Sequence, residues 1–76
     1  MLLPDVLKIT RQKAFMSQEE FSREMGVSVI TINRWENGKC KPNLSALKKL
    51  KSFCETHELS YERIENEWFG NHGEEQ

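Results

Sequence analysis

The chain has 76 residues, 37% of them hydrophobic and 30% charged, with a formal net charge of −1. A chain this short buries only a modest core, so a single marginally stable domain is expected, one that gains from pairing with a second copy. Apolar runs are short and Met1-Leu2-Leu3 passes straight into Pro4-Asp5, which argues against a secretory leader or a membrane span and predicts a soluble, cytoplasmic protein with free thiols at Cys40 and Cys54.

The first helix is expected to start near Pro4-Asp5, where proline suits the first turn and aspartate the positive helix end, and to turn Leu7, Arg11 and Ala14 inward. Phe15-Met16 is expected to close onto the core. Ser17 and Glu20 then form an S-x-x-E capping box, Phe21 and Met25 recur at i and i+4, and Ser22 is small enough for close helix approach. Gly26 stops this second helix. Ser28 caps a third, in which Ile32 and Trp35 form an inward pair, and Asn37-Gly38 ends it. After Lys41-Pro42, Asn43 caps a fourth helix with Leu44, Leu47, Leu50 and Cys54 as its apolar stripe and Lys48, Lys49 and Lys51 outside. Ser60 is placed to cap a fifth, carrying Tyr61, Ile64, Trp68 and Phe69 near one stripe. These residues complete the core, meet a second subunit, or do both, with Leu59 and Ile64 finishing the core while Trp68 and Phe69 meet the second copy.

Two short capped helices around a tight glycine turn, over residues 17 to 38, read as a helix-turn-helix. With Ile32 and Trp35 inward, Val29, Ile30, Asn33 and Arg34 are left near the exposed N-terminal part of the third helix. Large aliphatic residues there have a use in a major groove, where they pack on thymine methyls while arginine forks onto guanine O6 and N7. The alternative for Val29 or Ile30 is a core position at the helix start, and for Arg34 a solvated one.

The run LKITRQKAFMSQEEFSREMGVSVITINRWENGKCKPNLSALKKL resembles the Xre/Cro, lambda-repressor-like DNA-binding family, whose members read L-x-x-x-R, SQEELA, G-V-S, TISRWENGK and KPS-x-x-x-L in that order. The likeness spans about residues 7 to 54 without a gap. Its most specific part is Ile32-x-x-Trp35-Glu36-Asn37-Gly38-Lys39, preceded at the right distance by Ser17-Gln18-Glu19-Glu20. The resemblance implies an all-α, five-helix domain that binds double-stranded DNA as a homodimer, without cofactor or membrane. It implies base contacts from Val29, Ile30, Thr31 and Arg34, and backbone contacts from Gln18, Ser28, Asn33, Asn37, Lys39 and Lys41. It also implies a structural ion pair between Arg11 and Glu36. The family usually has Leu-Ala where this chain has Phe21-Ser22, a shorter link than Glu55-Thr56-His57-Glu58, and polar side chains where this chain has Val29-Ile30. That last departure biases the expected site toward T-rich steps or readout by shape.

Charge fits this reading once it is divided along the chain. Residues 1 to 51 carry ten Lys/Arg against five Asp/Glu, and residues 52 to 76 carry one against seven. A basic module would attract phosphate while an acidic end faces away. Residues 1–69 are expected to form the domain, and 70–76 an acidic frayed tail ending in Glu74-Glu75-Gln76. The expected activity is transcriptional regulation, as a repressor on a palindromic operator, with Tyr61, Ile64, Trp68 and Phe69 as the dimer interface. Two other readings stay open: an antitoxin whose aromatic C-terminal segment binds a cognate protein partner, and a controller of a restriction-modification or phage system. Cys40, Cys54, His57 and His72 lack the clustered pairs of a zinc site, and no P-loop, dinucleotide fingerprint or G-x-S-x-G occurs, so neither metal nor enzymatic chemistry is expected.

Overall fold

The computed structural model describes residues 2–70, in which five helices and no strand form: α1 Leu3–Lys13, α2 Gln18–Met25, α3 Val29–Glu36, α4 Leu44–Thr56 and α5 Glu62–Trp68. The tail ending in Glu74-Glu75-Gln76 lies outside the described residues. No helix among the described residues is long and apolar enough to cross a membrane. The architecture is the all-α, five-helix one expected. α3 packs on α1 and α2, α4 lies against α2, and α5 returns to α1.

α1 begins with Pro4 in its first turn and Asp5 beside the positive end, and buries Leu3, Val6, Leu7 and Thr10 at i, i+3, i+4 and i+7. Thr10 is tolerated inside because its hydroxyl donates to the Val6 carbonyl at 2.8 Å. Arg11 and Ala14, expected inward, are half-buried at the edge of this face. The expectation for Phe15 fails outright. Its ring is 93% exposed, because the residue adopts φ 58 and reverses the chain at the left-handed position that ends a helix. Phe15 N donates to the Gln12 carbonyl and Met16 N to that of Arg11, the pairing that glycine usually supports. Only Met16 turns back to pack on the core. Phe15→Gly is therefore expected to raise stability by about 0.5–1 kcal/mol, since relief of left-handed strain, roughly 1–2 kcal/mol, outweighs the chain entropy that glycine adds. Thermal unfolding checks this, and a lowered midpoint would mean that the ring contributes packing.

The capping box of α2 is complete. Glu20 N donates to Ser17 Oγ at 3.1 Å and Ser17 N to Glu20 Oε1 at 2.8 Å. Phe21, Ser22 and Met25 are buried, and the Ser22 hydroxyl is satisfied by the Glu19 carbonyl at 2.7 Å. At Gly26, φ 71 ends the helix, and a Cβ there would stand 3.3 Å from Lys49 Nζ. α3 starts on Ser28, whose Oγ accepts from Thr31 N at 3.1 Å. It buries Ile32 and Trp35, and it closes through Gly38, with Lys39 N donating to the Arg34 carbonyl at 2.9 Å.

Asn43 caps α4 by accepting from Ala46 N at 2.8 Å. The stripe then departs from the expected one, for Leu44 is 59% exposed and the buried set is Ala46, Leu47, Leu50, Phe53 and Cys54. At about 100° per residue, Leu44 lies roughly 120° from Leu50 at the centre of that set, whereas Phe53 falls within it. Phe53 meets the Phe21 ring edge-on at 4.9 Å, joining α4 to α2. Glu58 reverses the chain at φ 57, as Phe15 does, and Leu59 packs on the core. α5 begins later than expected. Ser60 does not cap it; Tyr61 occupies the N-cap without a side-chain bond, and Glu62 and Glu65 supply negative charge to the first turn.

Candidate nucleic-acid interface

The outer face of α3 is presented by the helix-turn-helix geometry itself. Ile32 and Trp35 are 0% and 4% exposed, and their burial rotates Val29, Ile30, Asn33 and Arg34 outward. Ile30 is 62% exposed and Val29 37%, so neither is a core residue. Thr31 is half-buried beside Ser28, with the two hydroxyl oxygens 3.0 Å apart. Lys39 and Asn37 are exposed just past the helix.

Behind this face runs a polar seam that fixes how α1, α2 and α3 meet. Arg11 donates from Nε to Glu36 Oε2 at 2.8 Å, from Nη2 to Glu36 Oε1 at 3.0 Å, and from Nη1 to the Met16 carbonyl at 2.8 Å. The Arg11 and Glu36 side chains are 11% and 4% exposed, so this two-pronged pair is largely withdrawn from water. Gln18 Nε2 donates to Glu36 Oε1 at 3.0 Å, Asn33 Nδ2 to Gln18 Oε1 at 3.5 Å, and Asn37 Nδ2 to Asn33 Oδ1 at 3.0 Å. Three carboxamides thus form a row from the start of α2 to the end of α3. Each NH₂ has two N–H groups and spends one within the row, so each retains a second donor. Such a row suits an array of anionic oxygens. The ion pair was implied by the family resemblance, which gave Gln18 only as a phosphate contact, whereas the Gln18–Glu36 bond and the Met16 carbonyl as a third anchor for Arg11 had no sequence signal.

Lys41 goes elsewhere. Its Nζ donates to the Trp68 carbonyl at 3.1 Å and stands 4.1 Å from the centroid of the Trp68 ring, so its charge is engaged by α5. Among the four aromatic-stripe residues, Ile64 is 0% exposed and belongs to the core, which removes it from any interface. Tyr61 is half-buried, with its hydroxyl 3.5 Å from the Leu47 carbonyl. Trp68 is also half-buried, and its Nε1 donates to the Pro42 carbonyl at 2.6 Å. Phe69, 56% exposed, shares an open apolar groove with Leu2, Pro4, Trp68 and Cys40. Leu2, 65% exposed, is a member that periodicity did not single out, because it precedes the helix.

Cys54 is buried and presents no activated thiol, while Cys40 is exposed. Burial, with Glu55 as a smaller cause, pushes the Cys54 thiol from 9.0 up to about 11. The buried neutral thiol therefore favours the fold below pH 9 and ceases to do so as pH rises toward that higher value. His57 packs against Phe53 with ring centroids 4.3 Å apart and the rings tilted by 42°, and its Nε2 is 3.5 Å from Glu24 Oε2. Among the described residues no three His, Cys, Asp or Glu side chains gather as a metal site, and His72 lies outside them.

Comparison with protein-family models gives a match over residues 7–58 to a family described as helix-turn-helix. No curated protein matches the chain, and no solved structure does.

Proposed function

The chain belongs to that helix-turn-helix family, one of DNA-binding transcriptional regulators, and from this premise we propose that it is a repressor that occupies a palindromic operator as a homodimer in the cytoplasm. Residues 1–69 act as one domain carrying an acidic tail, 70–76. α3 enters the major groove, with Val29, Ile30, Thr31 and Arg34 toward the bases and Gln18, Ser28, Asn33, Asn37 and Lys39 on the phosphates. The observation that carries the reading is the exposure of Val29 and Ile30 beside a row of amide donors. Apolar groups at the groove and N–H groups at its edge match thymine methyls and phosphate oxygens respectively.

Arg34 and Lys39 are expected to behave differently when removed. Arg34→Ala should cost about 1–3 kcal/mol on the preferred site and relax preference at one base pair, because a forked contact to guanine is sequence-specific. Lys39→Ala should weaken all sequences alike and lower the slope of log affinity against log salt by about one, the signature of a lost phosphate contact. Binding titrations on preferred and scrambled duplexes over a salt series measure both. Equal losses on the two duplexes for Arg34→Ala would remove it from the base-reading set.

Dimerisation through the surface around Leu2, Trp68 and Phe69 would set two α3 helices about one helical turn apart, roughly 34 Å. The exposure of Phe69 favours one other reading, an antitoxin that offers the same surface to a cognate protein. Co-expression with a neighbouring reading frame separates the two, because a stable complex of unlike chains replaces the homodimer only in the second.

A further inference from the structure

The loop of residues 37–43, between α3 and α4, is held from two distant parts of the chain. Near its start, Gly38 passes so close to α1 that a Cβ there would stand 3.5 Å from Pro4 Cγ. Near its end, Pro42 is fully buried, and its carbonyl accepts the indole N–H of Trp68 at 2.6 Å. Lys41 answers in the other direction, donating to the Trp68 carbonyl at 3.1 Å with its ammonium 4.1 Å from the ring centroid. Trp68 is the last residue of α5. Its carbonyl is one of those a helix end leaves without an intrahelical partner, at the negative end of the dipole, and an ammonium is favourable there. A cation over an indole face adds to the attraction. Two reciprocal hydrogen bonds and a ring contact therefore clasp α5 to the loop.

Lys39 lies between these supports. Its own N–H is fixed to the end of α3, 2.9 Å from the Arg34 carbonyl, and the chain just downstream of it is fixed by the clasp. Its side chain is exposed, as is that of Cys40.

We infer that Trp68 is a positioning residue for DNA binding, fixing the loop that carries Lys39, and that Lys41 is spent on this clasp rather than on phosphate. The inference rests on the reading above, in which Lys39 meets the DNA backbone. It makes α5 a coupling element.

The test uses the full chain and a random-sequence duplex of about one helical turn, too short to hold a second half-site, so that dimerisation does not enter. Binding is measured over a salt series for Lys39→Ala, Lys41→Met, Trp68→Phe and the Trp68→Phe/Lys39→Ala double variant, with folding checked by circular dichroism and thermal melting. Lys39→Ala is expected to lower the salt slope by about one; Lys41→Met, also made in the Lys39→Ala background, is expected to lower it no further there, because Lys41 holds no phosphate of its own. Trp68→Phe keeps a ring but loses the N–H, and it is expected to weaken binding several-fold. In that background Lys39→Ala should cost less than half of its fold-loss in the parent. Fold-losses that multiply to within about twofold would mean independent sites and overturn the positioning role. A slope lowered by a further one when Lys41→Met is added to Lys39→Ala would overturn the clasp assignment, even if Trp68→Phe failed to fold. An unchanged slope in Lys39→Ala would instead take the loop off the DNA, a failure of the underlying reading that is seen separately.

Discussion

Replacing Glu36 with alanine is expected to lower the stability of the domain by about 3–5 kcal/mol, the cost of leaving a buried guanidinium without its carboxylate. The Glu36 side chain is 4% exposed and receives three hydrogen bonds, two from Arg11 and one from Gln18. A domain of 76 residues has in total about 4–11 kcal/mol, at roughly 0.05–0.15 kcal/mol per residue. The variant should therefore be largely unfolded at physiological temperature, with its thermal midpoint lowered by more than about 10 °C. The double variant Arg11→Met/Glu36→Leu removes both charges together and should recover much of the loss, since apolar pairs of similar volume replace buried ion pairs at little cost. It should still bind DNA poorly, because Gln18 no longer has the carboxylate that orients its amide. Urea and thermal unfolding measure the first effect. A loss under about 1 kcal/mol for Glu36→Ala would show that the pair is worth no more than a surface one.

Phe21→Ala is expected to cost a similar amount, about 3–5 kcal/mol, for a different reason. Phe21 is 0% exposed and fills the contact between α2 and α4, its ring centroid 4.9 Å from that of Phe53 in an edge-to-face pair. Truncation leaves a cavity that the neighbouring helices cannot collapse into, and it forfeits an aromatic pair worth about 0.5–1.5 kcal/mol beyond area. Phe21→Leu, which restores the residue the resembled family usually carries there, should cost much less. Chemical denaturation separates the two variants, and equal losses would mean that the ring edge rather than the volume holds the site.

These two residues also show what was legible in the sequence. Phe21 and Met25 were placed by their i, i+4 spacing, and the caps at Ser17, Ser28 and Asn43 by residue type, because capping is a local bond between side chain and nearby backbone. Glycine stops at Gly26 and Gly38 were equally local. Phe15 and Glu58 were not, since an L-residue at positive φ carries no compositional mark. The exposure of Leu44 and the burial of Phe53 were missed because leucines spaced every three residues drift about 60° per step around a helix, which carries Leu44 off the buried arc that Phe53 shares with Leu50. Ser60 was taken as a cap on type alone, while the left-handed Glu58 and the packing of Leu59 delay the helix to Glu62.

At the candidate site the same division holds. The outward direction of Val29, Ile30 and Arg34 followed from the period of α3, because Ile32 and Trp35 leave only one face for the core. The row from Gln18 through Asn33 to Asn37 was not legible, as its first two members lie 15 residues apart on different helices. The turn toward α5 that engages Lys41 depends on a contact across 27 residues, and no pattern in a short loop announces it. Local chemistry placed the exposed face of α3; tertiary contacts decide which side chains near it are engaged elsewhere in the fold.

Selection of bound duplexes from a random-sequence pool tests the central claim most directly, because one motif reports the face, the symmetry and the spacing together. The account predicts a two-fold symmetric site whose halves lie about one helical turn apart, each with T-rich steps for Val29 and Ile30 and a guanine whose preference disappears in Arg34→Ala. A bound pool with no sequence enrichment, or a motif unchanged by Arg34→Ala and by substitution of Ile30, would contradict it.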